Sequence, residues 1–459
     1  MKRRPVTAVI IGAGHRSLGY ASYALNRPEE LKIVGVAEPD EIRRRLAAQM
    51  FGLAQDRCFA TAEELALVPK FADAAINGTM DHQHVSTSLP LLEAGYDILL
   101  EKPMATSEEE LLRLDAAGKR FGRKIMVCHV LRYTPFYASI RKRVLSGEIG
   151  EIVNIQTVEH VSYHHMATCL VRGKWNNETH CGSSMLLAKC CHDLDLIAWM
   201  KSGIAPKMVN SFGGIMQFRQ DKAPAGAGTR CLVDCSIEAE CDYSARKLYL
   251  DNSNPFRWSS YIWAGLESHG VCLTKEESVT LAVKHPEFRA QDYSYSPIPP
   301  RELRIRSLRE DNPHGRCVWR CDNDVVDHQS VIVQFADGST ATHNMIGGTA
   351  RPMRSMHLIG TRGEIQGVFE DGKFVILHAD PRCGHEFSEE IVDTNVSGDA
   401  SGALGDHGGG DNLLVLDFIS SMRGAPPSIS CTSIEDSITG HLMVFAADRS
   451  MKTRQTVNF

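Results

Sequence analysis

Short apolar runs alternate with amphipathic stretches along the first 130 residues of the chain. Each apolar run ends in small or polar residues, and the stretches between them have the spacing of helices with one buried face. This alternation predicts six strands separated by helices, the organisation of a doubly wound α/β domain over residues 1–130. The predicted strands include Ala8–Ile11, Leu31–Ala37, Phe71–Ile76, Tyr96–Leu100 and Lys124–His129.

The pattern changes after residue 130, where short strand-like segments are separated by turns. A helix is predicted over Ser183–Met200. We therefore predict that residues 131–459 form a second domain of the α+β class, with an open, largely antiparallel sheet. Residues 215–322 have few strand signals and are predicted to be an insertion. The predicted strands of this domain are Ile152–Val161, Lys207–Phe212, Val325–Phe335, Thr340–Met345, Met356–Ile359, Glu364–Val368 and Phe374–Leu377.

The amino-acid composition limits the classes of molecule that the protein is expected to bind. The 459 residues are 43% hydrophobic and 23% charged, which is ordinary for a globular protein. The formal net charge of −6 gives no support for nucleic-acid binding. No apolar run approaches the roughly 20 residues that a membrane span needs. Lys2-Arg3-Arg4 precede an apolar segment that is too short for a signal peptide and runs into Gly12, so we predict a cytoplasmic protein.

A glycine-rich turn and an acidic residue frame the second predicted strand. The turn lets the backbone approach a pyrophosphate, and the helix that follows directs free N–H groups at the anion. Glu38 ends the second strand, where its carboxylate can accept both ribose hydroxyls of an adenosine, which favours NAD over NADP. The alternative is an ordinary tight turn in a nucleotide-free domain. The turn residues predicted to bind the cofactor are Gly12, Gly14, His15, Arg16 and Ser17.

Two segments carry candidate catalytic residues. Lys102 follows the fifth strand and precedes Pro103, which favours an extended backbone that directs the lysine out of the strand end. A lysine there can stabilise a developing alkoxide. Within the predicted helix, Lys189, His192 and Asp195 recur at three-residue spacing and share roughly one face. Lys189 would favour a neutral His192, as a proton acceptor requires. The alternatives are a solvated lysine and a histidine satisfied in the core.

These segments together resemble the glucose–fructose oxidoreductase/inositol dehydrogenase (Gfo/Idh/MocA) family over nearly the whole chain. Glu101-Lys102-Pro103 is the most specific local element of the resemblance. The resemblance implies hydride transfer at a secondary alcohol of a sugar, cyclitol or glycoside, with catalytic Lys102 and His192. It also implies a set of residues along the cofactor. That set is Gly12, Gly14, Glu38, Thr79, His84 and Glu101, to which the position of Lys102 adds that residue.

One departure from the family pattern leaves the reaction open. The family usually has an aspartate four residues before the histidine, where this chain has Ala188 followed by Lys189. Altered acid–base chemistry of this kind is compatible with an NAD-dependent glycosidase, which oxidises a sugar transiently and eliminates the glycosidic bond. A third alternative is an NAD-binding sensor or scaffold without catalysis.

The predicted substrate wall combines aromatic, histidine and arginine side chains. Aromatic rings stack on sugar faces, and arginines donate to hydroxyl or acid oxygens. Such residues also occur in ordinary interdomain packing. The predicted substrate residues are Arg132, Tyr133, Tyr163, His164, His165, Arg172, Trp175 and Asp195.

The fourteen cysteines include a cluster in the insertion. Cys231, Cys235 and Cys241, joined by Cys317 or Cys321, could supply four thiolates to a structural zinc ion. Zinc would hold together an insertion that is poor in strands. The alternative is a set of buried free thiols.

The second domain has too few predicted helices to cover both faces of its sheet. Symmetric pairing is the commonest way to cover such a face. We therefore expect a homodimer or a homotetramer that assembles through the open sheet.

Overall fold

The computed structural model describes residues 4–251, 259–266, 269, 299–394 and 409–459. Two sheets organise these residues, one of six strands and one of nine. The expected α/β architecture with an N-terminal parallel sheet and a C-terminal, largely antiparallel sheet is confirmed. Among the described residues, no helix is both long enough and apolar enough to span a bilayer.

The first sheet has the strand order β3-β2-β1-β4-β5-β6, and every pair is parallel. Parallel strands joined by helices all end at one edge, which is where such sheets bind ligands. The strands are β1 Val6–Ile11, β2 Leu31–Ala37, β3 Cys58–Phe59, β4 Ala74–Asn77, β5 Asp97–Leu100 and β6 Ile125–Val127. The helices are α1 His15–Ala21, α2 Tyr23–Asn26, α3 Glu41–Phe51, α4 Ala62–Leu67, α5 His84–Glu93 and α6 Glu108–Phe121.

Polar side chains cap the N-termini of α3 and α6 by accepting hydrogen bonds from amides of the first turn. Asp40 accepts from the amides of Ile42 and Arg43, and Ser107 accepts from the amide of Glu110. Helix α1 begins at His15. Gly14 takes the N-cap position in extended backbone, so the helix begins directly after the second glycine.

The second sheet has the order β14-β13-β12-β11-β7-β10-β9-β8-β15. Its neighbours are antiparallel except β7 and β10, which run parallel at the centre. The strands are β7 Ile152–Ser162, β8 Pro206–Gly214, β9 His328–Phe335, β10 Thr340–Thr349, β11 Met353–Gly360, β12 Glu364–Val368, β13 Lys373–Ala379, β14 Phe387–Asp393 and β15 Val457–Asn458. The helices that precede or accompany it are α7 Pro135–Leu145, α8 Tyr163–His165, α9 Glu178–Cys181 and α10 Met185–Met200.

The region predicted to be an insertion contains short helical segments. It comprises irregular turns together with α11 Ser259–Ile262 and α12 Arg301–Arg309, and its described residues form no strand of either sheet. Part of the prediction for 215–322 lies outside the described residues. Cys231 and Cys317 are buried, and Cys231 belongs to the same buried cluster as the core of the second sheet.

Two C-terminal helices, α13 Gly410–Met422 and α14 Ile434–Thr453, return to the first sheet. Leu414 and Phe418 of α13 pack with Val6 and Ile10 in one buried cluster. Thr432, just before α14, accepts a hydrogen bond from the amide of Val127 in β6. The described contacts therefore join the C-terminal region to the N-terminal sheet, and the predicted boundary at residue 130 stays a prediction.

His441 of α14 is a buried, neutral connection between the two parts. Its Nε2 accepts a hydrogen bond of 3.0 Å from the amide of Met104, in the loop after β5. Burial, with a smaller contribution from His129, lowers the pKa of His441 to about 3. Protonation of Nε2 would therefore remove an acceptor in the interior.

The free energy of unfolding should fall as the pH falls below about 6.5, the ordinary pKa of histidine. The unfolded chain takes up a proton there, whereas folded His441 stays neutral until about pH 3. Between these two pKa values, His441 changes the free energy of unfolding by about 1.4 kcal/mol per pH unit. Above the ordinary pKa of histidine, its contribution is constant. Denaturant unfolding between pH 7 and pH 4 measures it.

The matched variant is His441→Gln, whose side-chain oxygen can still accept from Met104. We expect it to have a shallower loss of stability towards pH 4 than the parent protein. The variant His385→Gln is the control, because His385 lies at the surface. Identical slopes for the parent and His441→Gln would show that this histidine is charged in the folded protein.

Candidate active site

The ligand edge of the first sheet gathers residues from five strand ends. Gly12 follows β1, Glu38 follows β2, Thr79 follows β4, Lys102 follows β5 and His129 follows β6. Helix α10 of the second part lies against this edge, as its contacts with Lys102 and His129 show. Strand β5 and the helix that carries His192 therefore meet at this edge.

The glycine turn is tightly packed against the loop after β4. Gly12 has a φ of +75°, and a Cβ there would lie 3.1 Å from the Cα atom of Thr79. Ser17 occupies the position of the usual third glycine, and its buried hydroxyl packs against Gly78. Because residue 78 is a glycine, the loop after β4 can approach Ser17 closely, although a serine replaces the usual third glycine. Gly14 has no side-chain cap above its helix, so the turn presents bare backbone.

Glu38 is fixed beside this turn. Its Oε2 accepts a hydrogen bond of 2.7 Å from the amide of Ala13, and its Oε1 accepts one of 3.0 Å from the amide of Asp40. The side chain is only 6% exposed. The carboxylate is thus held next to the turn, where the ribose of an adenosine bound there would require it. Turn, carboxylate and loop fit a dinucleotide.

Arg16, Glu101 and His84 stabilise the loops around the site. Arg16 donates to Glu101 over 2.8 Å and to Asp411 over 2.7 Å. The pKa of Glu101 is lowered: burial acts against this, but the charges of Arg16 and Lys102 outweigh it. His84 is buried and lies 2.6 Å from the carbonyl oxygen of Pro103. These three residues therefore shape the loops through contacts within the protein.

Lys102 crosses to the opposing helix. Its Nζ donates a hydrogen bond of 2.7 Å to the backbone carbonyl of Ala188, four residues before His192. A neutral backbone carbonyl of the opposing helix thus orients the ammonium.

His129 was not predicted to be functional, yet it contacts His192 directly. The two Nδ1 atoms are 3.4 Å apart, within hydrogen-bonding distance. His129 is 1% exposed, and burial together with the charges of Arg132 and Lys102 lowers its pKa well below the usual value. A neutral histidine beside His192 fixes the orientation of that ring. The position of His129 at a strand end was the signal that could have identified it.

Arg132 and Asp195 form a buried ion pair behind the two histidines. Arg132 Nε lies 2.7 Å from Asp195 Oδ2, and Nη2 lies 2.6 Å from Oδ1. Both side chains are 1% exposed. The structure therefore places these two predicted substrate residues in the junction between β6 and α10, where they bind each other.

Lys189 faces a second buried network. Its Nζ lies 3.2 Å from Glu159, whose other oxygen lies 2.8 Å from Arg354, and Arg354 lies 3.3 Å from Asp193. Burial lowers the pKa of Lys189, although Glu159 acts in the opposite direction. Lys189 keeps 19% of its side chain exposed, so it borders the site while its charge is paired.

Cys190, Asp193 and His343 lie close to that network. Among the described residues, they form the one group of three metal-ligating side chains whose donor atoms all lie within 4.8 Å of one another. The guanidinium of Arg354, 3.3 Å from Asp193, already supplies positive charge there. Charge repulsion opposes a metal ion beside it, so we assign this group to the ion-pair network.

The other predicted residues of the substrate wall fall into two groups, one partly exposed and one buried. Tyr163, His164, His165 and Trp175 are partly exposed, whereas Tyr133 and Arg172 are buried. Tyr133 donates to Asp417 over 2.9 Å within the first core, and Arg172 binds carbonyls inside the insertion. The expectation that Tyr133 and Arg172 face a substrate is therefore not supported by these contacts.

Trp175 links the wall to the glycine turn. Its Nε1 donates to Asp81 over 3.1 Å, in the loop after β4. Its ring centroid lies 5.6 Å from that of Tyr261, which in turn lies 6.2 Å from the ring of His15. An aromatic surface thus runs from the second part of the molecule to the predicted pyrophosphate turn.

The four cysteines predicted to bind metal, Cys231, Cys235, Cys241 and Cys317, line one small cavity. They lie away from the strand-end site. No three of their sulfur atoms lie within 4.8 Å of one another, so these described thiols do not form a closed ligand set. On these observations, a zinc site formed by the four cysteines remains a prediction.

Comparison with known sequences identifies the first domain. Residues 6–129 match the family GFO_IDH_MocA, described as an oxidoreductase family with an NAD-binding Rossmann fold. Oxidoreductase YteT of Bacillus subtilis is 23% identical over 385 residues, which cover 79% of this chain and 78% of YteT. Inositol 2-dehydrogenase of Corynebacterium glutamicum (strain R) is 29% identical over 192 residues, 42% of this chain and 52% of that enzyme. The match thus spans about half the length of that dehydrogenase.

Solved structures share the fold over the entire chain. An inositol dehydrogenase homolog from Azotobacter vinelandii, complexed with NAD+, has a TM-score of 0.63 at 14% identity and covers 99% of this chain and 98% of its own. The WlbA dehydrogenase from Chromobacterium violaceum, in complex with NADH and UDP-GlcNAcA, has a TM-score of 0.61 at 14% identity and covers 100% and 97%. Residues 6–129 therefore form an NAD-binding Rossmann domain that matches the Gfo/Idh/MocA oxidoreductase family, and the solved structures share the overall fold.

Proposed function

We propose that this protein is an NAD(H)-dependent oxidoreductase that transfers hydride to or from a secondary alcohol of a sugar, cyclitol or glycoside. The observation that carries the proposal is the meeting of Lys102 with the helix of His192 at the ligand edge of the NAD-binding sheet. A cationic donor and a histidine on opposite sides of one junction are what alcohol oxidation requires.

Lys102 acts on the substrate oxygen. Its ammonium donates a hydrogen bond to the hydroxyl that reacts and stabilises the negative charge that develops as the proton leaves. The carbonyl of Ala188 orients the ammonium without neutralising it. NAD, which the glycine turn and Glu38 would hold, would supply the hydride acceptor for this oxidation.

His192 accepts the hydroxyl proton. Its Nδ1 lies against Nδ1 of His129, so its Nε2 points away from His129 and is the nitrogen assigned to the substrate. Because the pKa of His129 is lowered well below its usual value, this partner stays neutral at physiological pH. Neutral His129 therefore orients the base without adding a second positive charge to the site.

The substrate wall consists of the partly exposed aromatic and histidine side chains. Tyr163 and Trp175 offer ring faces, and His164 and His165 offer hydrogen-bonding nitrogens. A carbohydrate has both hydroxyl groups and apolar C–H faces, so this combination suits it. The contact between Trp175 and Asp81 would couple the substrate wall to the cofactor loop.

Lys189 gives the glycosidase alternative its chemical basis. Burial lowers the pKa of this lysine, and a lysine with a lowered pKa can remove a proton next to a transiently formed carbonyl. Its ion pair with Glu159 opposes that role, since the pair stabilises the charged ammonium. We therefore rank this alternative second.

We further propose a homodimer or homotetramer that assembles through the open face of the second sheet. Phe212 of β8 is 66% exposed and Ile332 of β9 is 52% exposed on adjacent strands. Large apolar side chains in such positions are typical of an interface. A cytoplasmic location and a preference for NAD over NADP remain part of the same proposal.

A screen of sugars, cyclitols and aryl glycosides with NAD should identify the substrate class. Accumulation of NADH with an oxidised product would support the dehydrogenase. Release of the aglycone that requires NAD but leaves no NADH would support the glycosidase. The absence of NAD(H) and NADP(H) binding in calorimetry would contradict both.

Lys102→Met should lower kcat/KM for the substrate found in this way by about 10²–10³-fold, because it removes the group that stabilises the alkoxide. Its dissociation constant for NAD should stay within about twofold of the parent value. Lys119→Met is the control, because Lys119 lies on the surface of α6 and pairs with Asp115. Full activity of Lys102→Met would refute the assigned role.

Glu38→Ala should weaken NAD binding by about tenfold, the equivalent of about 1.4 kcal/mol, since it removes the acceptor for the ribose hydroxyls. Glu63→Ala, on exposed α4, should bind NAD like the parent protein. Calorimetry with NAD and NADP measures both dissociation constants. Tighter binding of NADP than of NAD by the parent protein would reverse the assignment.

The double variant Phe212→Lys/Ile332→Lys should be monomeric where the parent protein is a dimer or tetramer. Charged groups cannot be buried at a symmetric interface without partners. Leu67→Lys is the control, because Leu67 is 85% exposed on α4, away from the second sheet. Light scattering at micromolar concentration gives the mass, and a monomeric parent protein would rule out the assembly.

A further inference from the structure

The cysteine cluster of the insertion lies outside the proposed active site and has no role in the proposed reaction. Its four thiols belong to two stretches of chain: Cys231, Cys235 and Cys241 to one and Cys317 to the other. All four line a single cavity of about 10 Å³, which is close to the space that one water molecule or one ion requires. A convergence from distant positions is not expected for unrelated core thiols.

The backbone holds these two stretches in register. Arg230 and Arg316 form an antiparallel bridge. The amide of Cys231 donates to the carbonyl of Gly315 over 3.0 Å, and the amide of Cys317 donates to the carbonyl of Thr229 over 2.9 Å. Cys231 and Cys317 therefore lie side by side although 86 positions separate them in the sequence.

The surrounding chain has little regular structure that could maintain this arrangement. Between Gly214 and Tyr243 the described residues form turns and one three-residue helical turn, Gln220–Lys222, but no strand of either sheet. Segments with so little regular structure gain stability from a cross-link between distant positions. A metal ion bound by the four thiolates would supply it.

A hydrogen-bond donor already points at one of the sulfur atoms. Arg172, 1% exposed, donates from Nη2 to Cys231 Sγ over 3.5 Å. Donors at sulfur stabilise thiolates, and the buried guanidinium offsets part of the negative charge that four thiolates carry around a divalent ion. Glu238 also lines the cavity, but it is engaged by Ser244 and Arg246.

The two candidates for the fourth ligand, Cys317 and Cys321, differ in their position relative to the cavity. Cys317 lines the cavity, whereas Cys321 does not. Cys321 Sγ instead donates to the backbone carbonyl of Cys317 over 3.3 Å. Cys317 is therefore the fourth ligand, and Cys321 supports the turn that presents it.

We propose that Cys231, Cys235, Cys241 and Cys317 bind one zinc ion as a structural tetrathiolate. Soft sulfur ligands in a four-fold set select zinc over magnesium or calcium. Each thiol releases its proton to solvent on binding, and no electron is transferred. Zinc–sulfur bonds of about 2.3 Å would draw the sulfur atoms inward from their present spacing and close the set.

The zinc site would also fix the substrate side of the molecule. Tyr243, two residues after Cys241, packs its ring 6.1 Å from that of Tyr163 in the proposed substrate wall and 5.5 Å from that of Trp319. Its carbonyl accepts a hydrogen bond from Arg172. Loss of the metal should therefore disturb the substrate wall while the NAD-binding sheet stays intact. This consequence rests on the proposed function, whereas zinc binding itself does not.

Elemental analysis of the full-length protein, purified without chelator, tests the site directly. We expect about one zinc per chain. Cys231→Ser, Cys241→Ser and Cys317→Ser should each lower the zinc content several-fold and lower the melting temperature. Cys321→Ser and Cys383→Ser should keep about one zinc per chain. Retention of zinc by Cys317→Ser with its loss from Cys321→Ser would overturn the choice of ligand.

A second measurement uses the unmodified protein in case a serine variant fails to fold. Titration with an organomercurial in the presence of a zinc-sensitive dye should release about one zinc per chain as the thiols react. NAD binding, measured by calorimetry before and after release, should change by less than about twofold. Protein without zinc that also fails to bind added zinc at micromolar concentration would falsify the site. Two disulfides among these cysteines, detected by mass spectrometry, would equally overturn it.

Discussion

The buried pair of Arg132 and Asp195 is the interaction on which the site depends. It joins the end of β6 to the middle of α10, and Arg132 also donates to the carbonyls of Cys431 and Asp436. One guanidinium thus connects the parallel sheet, the helix of His192 and the start of α14. Removal of either charge would leave the other unpaired in the interior, at a cost of about 3–5 kcal/mol. Because α10 is fixed there, His192 meets His129 and Ala188 meets Lys102.

Charge is distributed unequally between the two lysines of the junction. Lys189 pairs with the carboxylate of Glu159, whereas Lys102 binds a neutral carbonyl. Burial keeps His129 neutral beside them. The hydrogen bond to a neutral carbonyl orients the Lys102 ammonium at the junction, which is consistent with its proposed role.

Local chemistry made the first domain predictable, while long-range contacts decided the rest. The glycine turn, Glu38 and the helix caps depend on neighbours in sequence or on a fixed strand–turn–helix unit, so the pattern indicated them. Arg132 and Asp195 are polar residues near a predicted site, and only the fold showed that they pair with each other instead of facing a substrate. Tyr133 was misjudged for the same reason, since its partner Asp417 lies 284 positions away. Strand β14 escaped prediction because most of its residues are exposed and polar.

Hydride transfer at this junction is common to the dehydrogenase and to the glycosidase that oxidises its substrate transiently, so it is the central claim. The most direct test incubates the protein and NAD with a carbohydrate substrate that carries deuterium on the carbon to be oxidised. Mass spectrometry then examines the nicotinamide of the bound and free cofactor. We expect the deuterated substrate to react more slowly than the unlabelled one and, where NADH accumulates, the cofactor to be heavier by one deuterium; with Lys102→Met the cofactor should stay unlabelled. Product formation at equal rates from both substrates, without deuterium in the cofactor, would contradict hydride transfer.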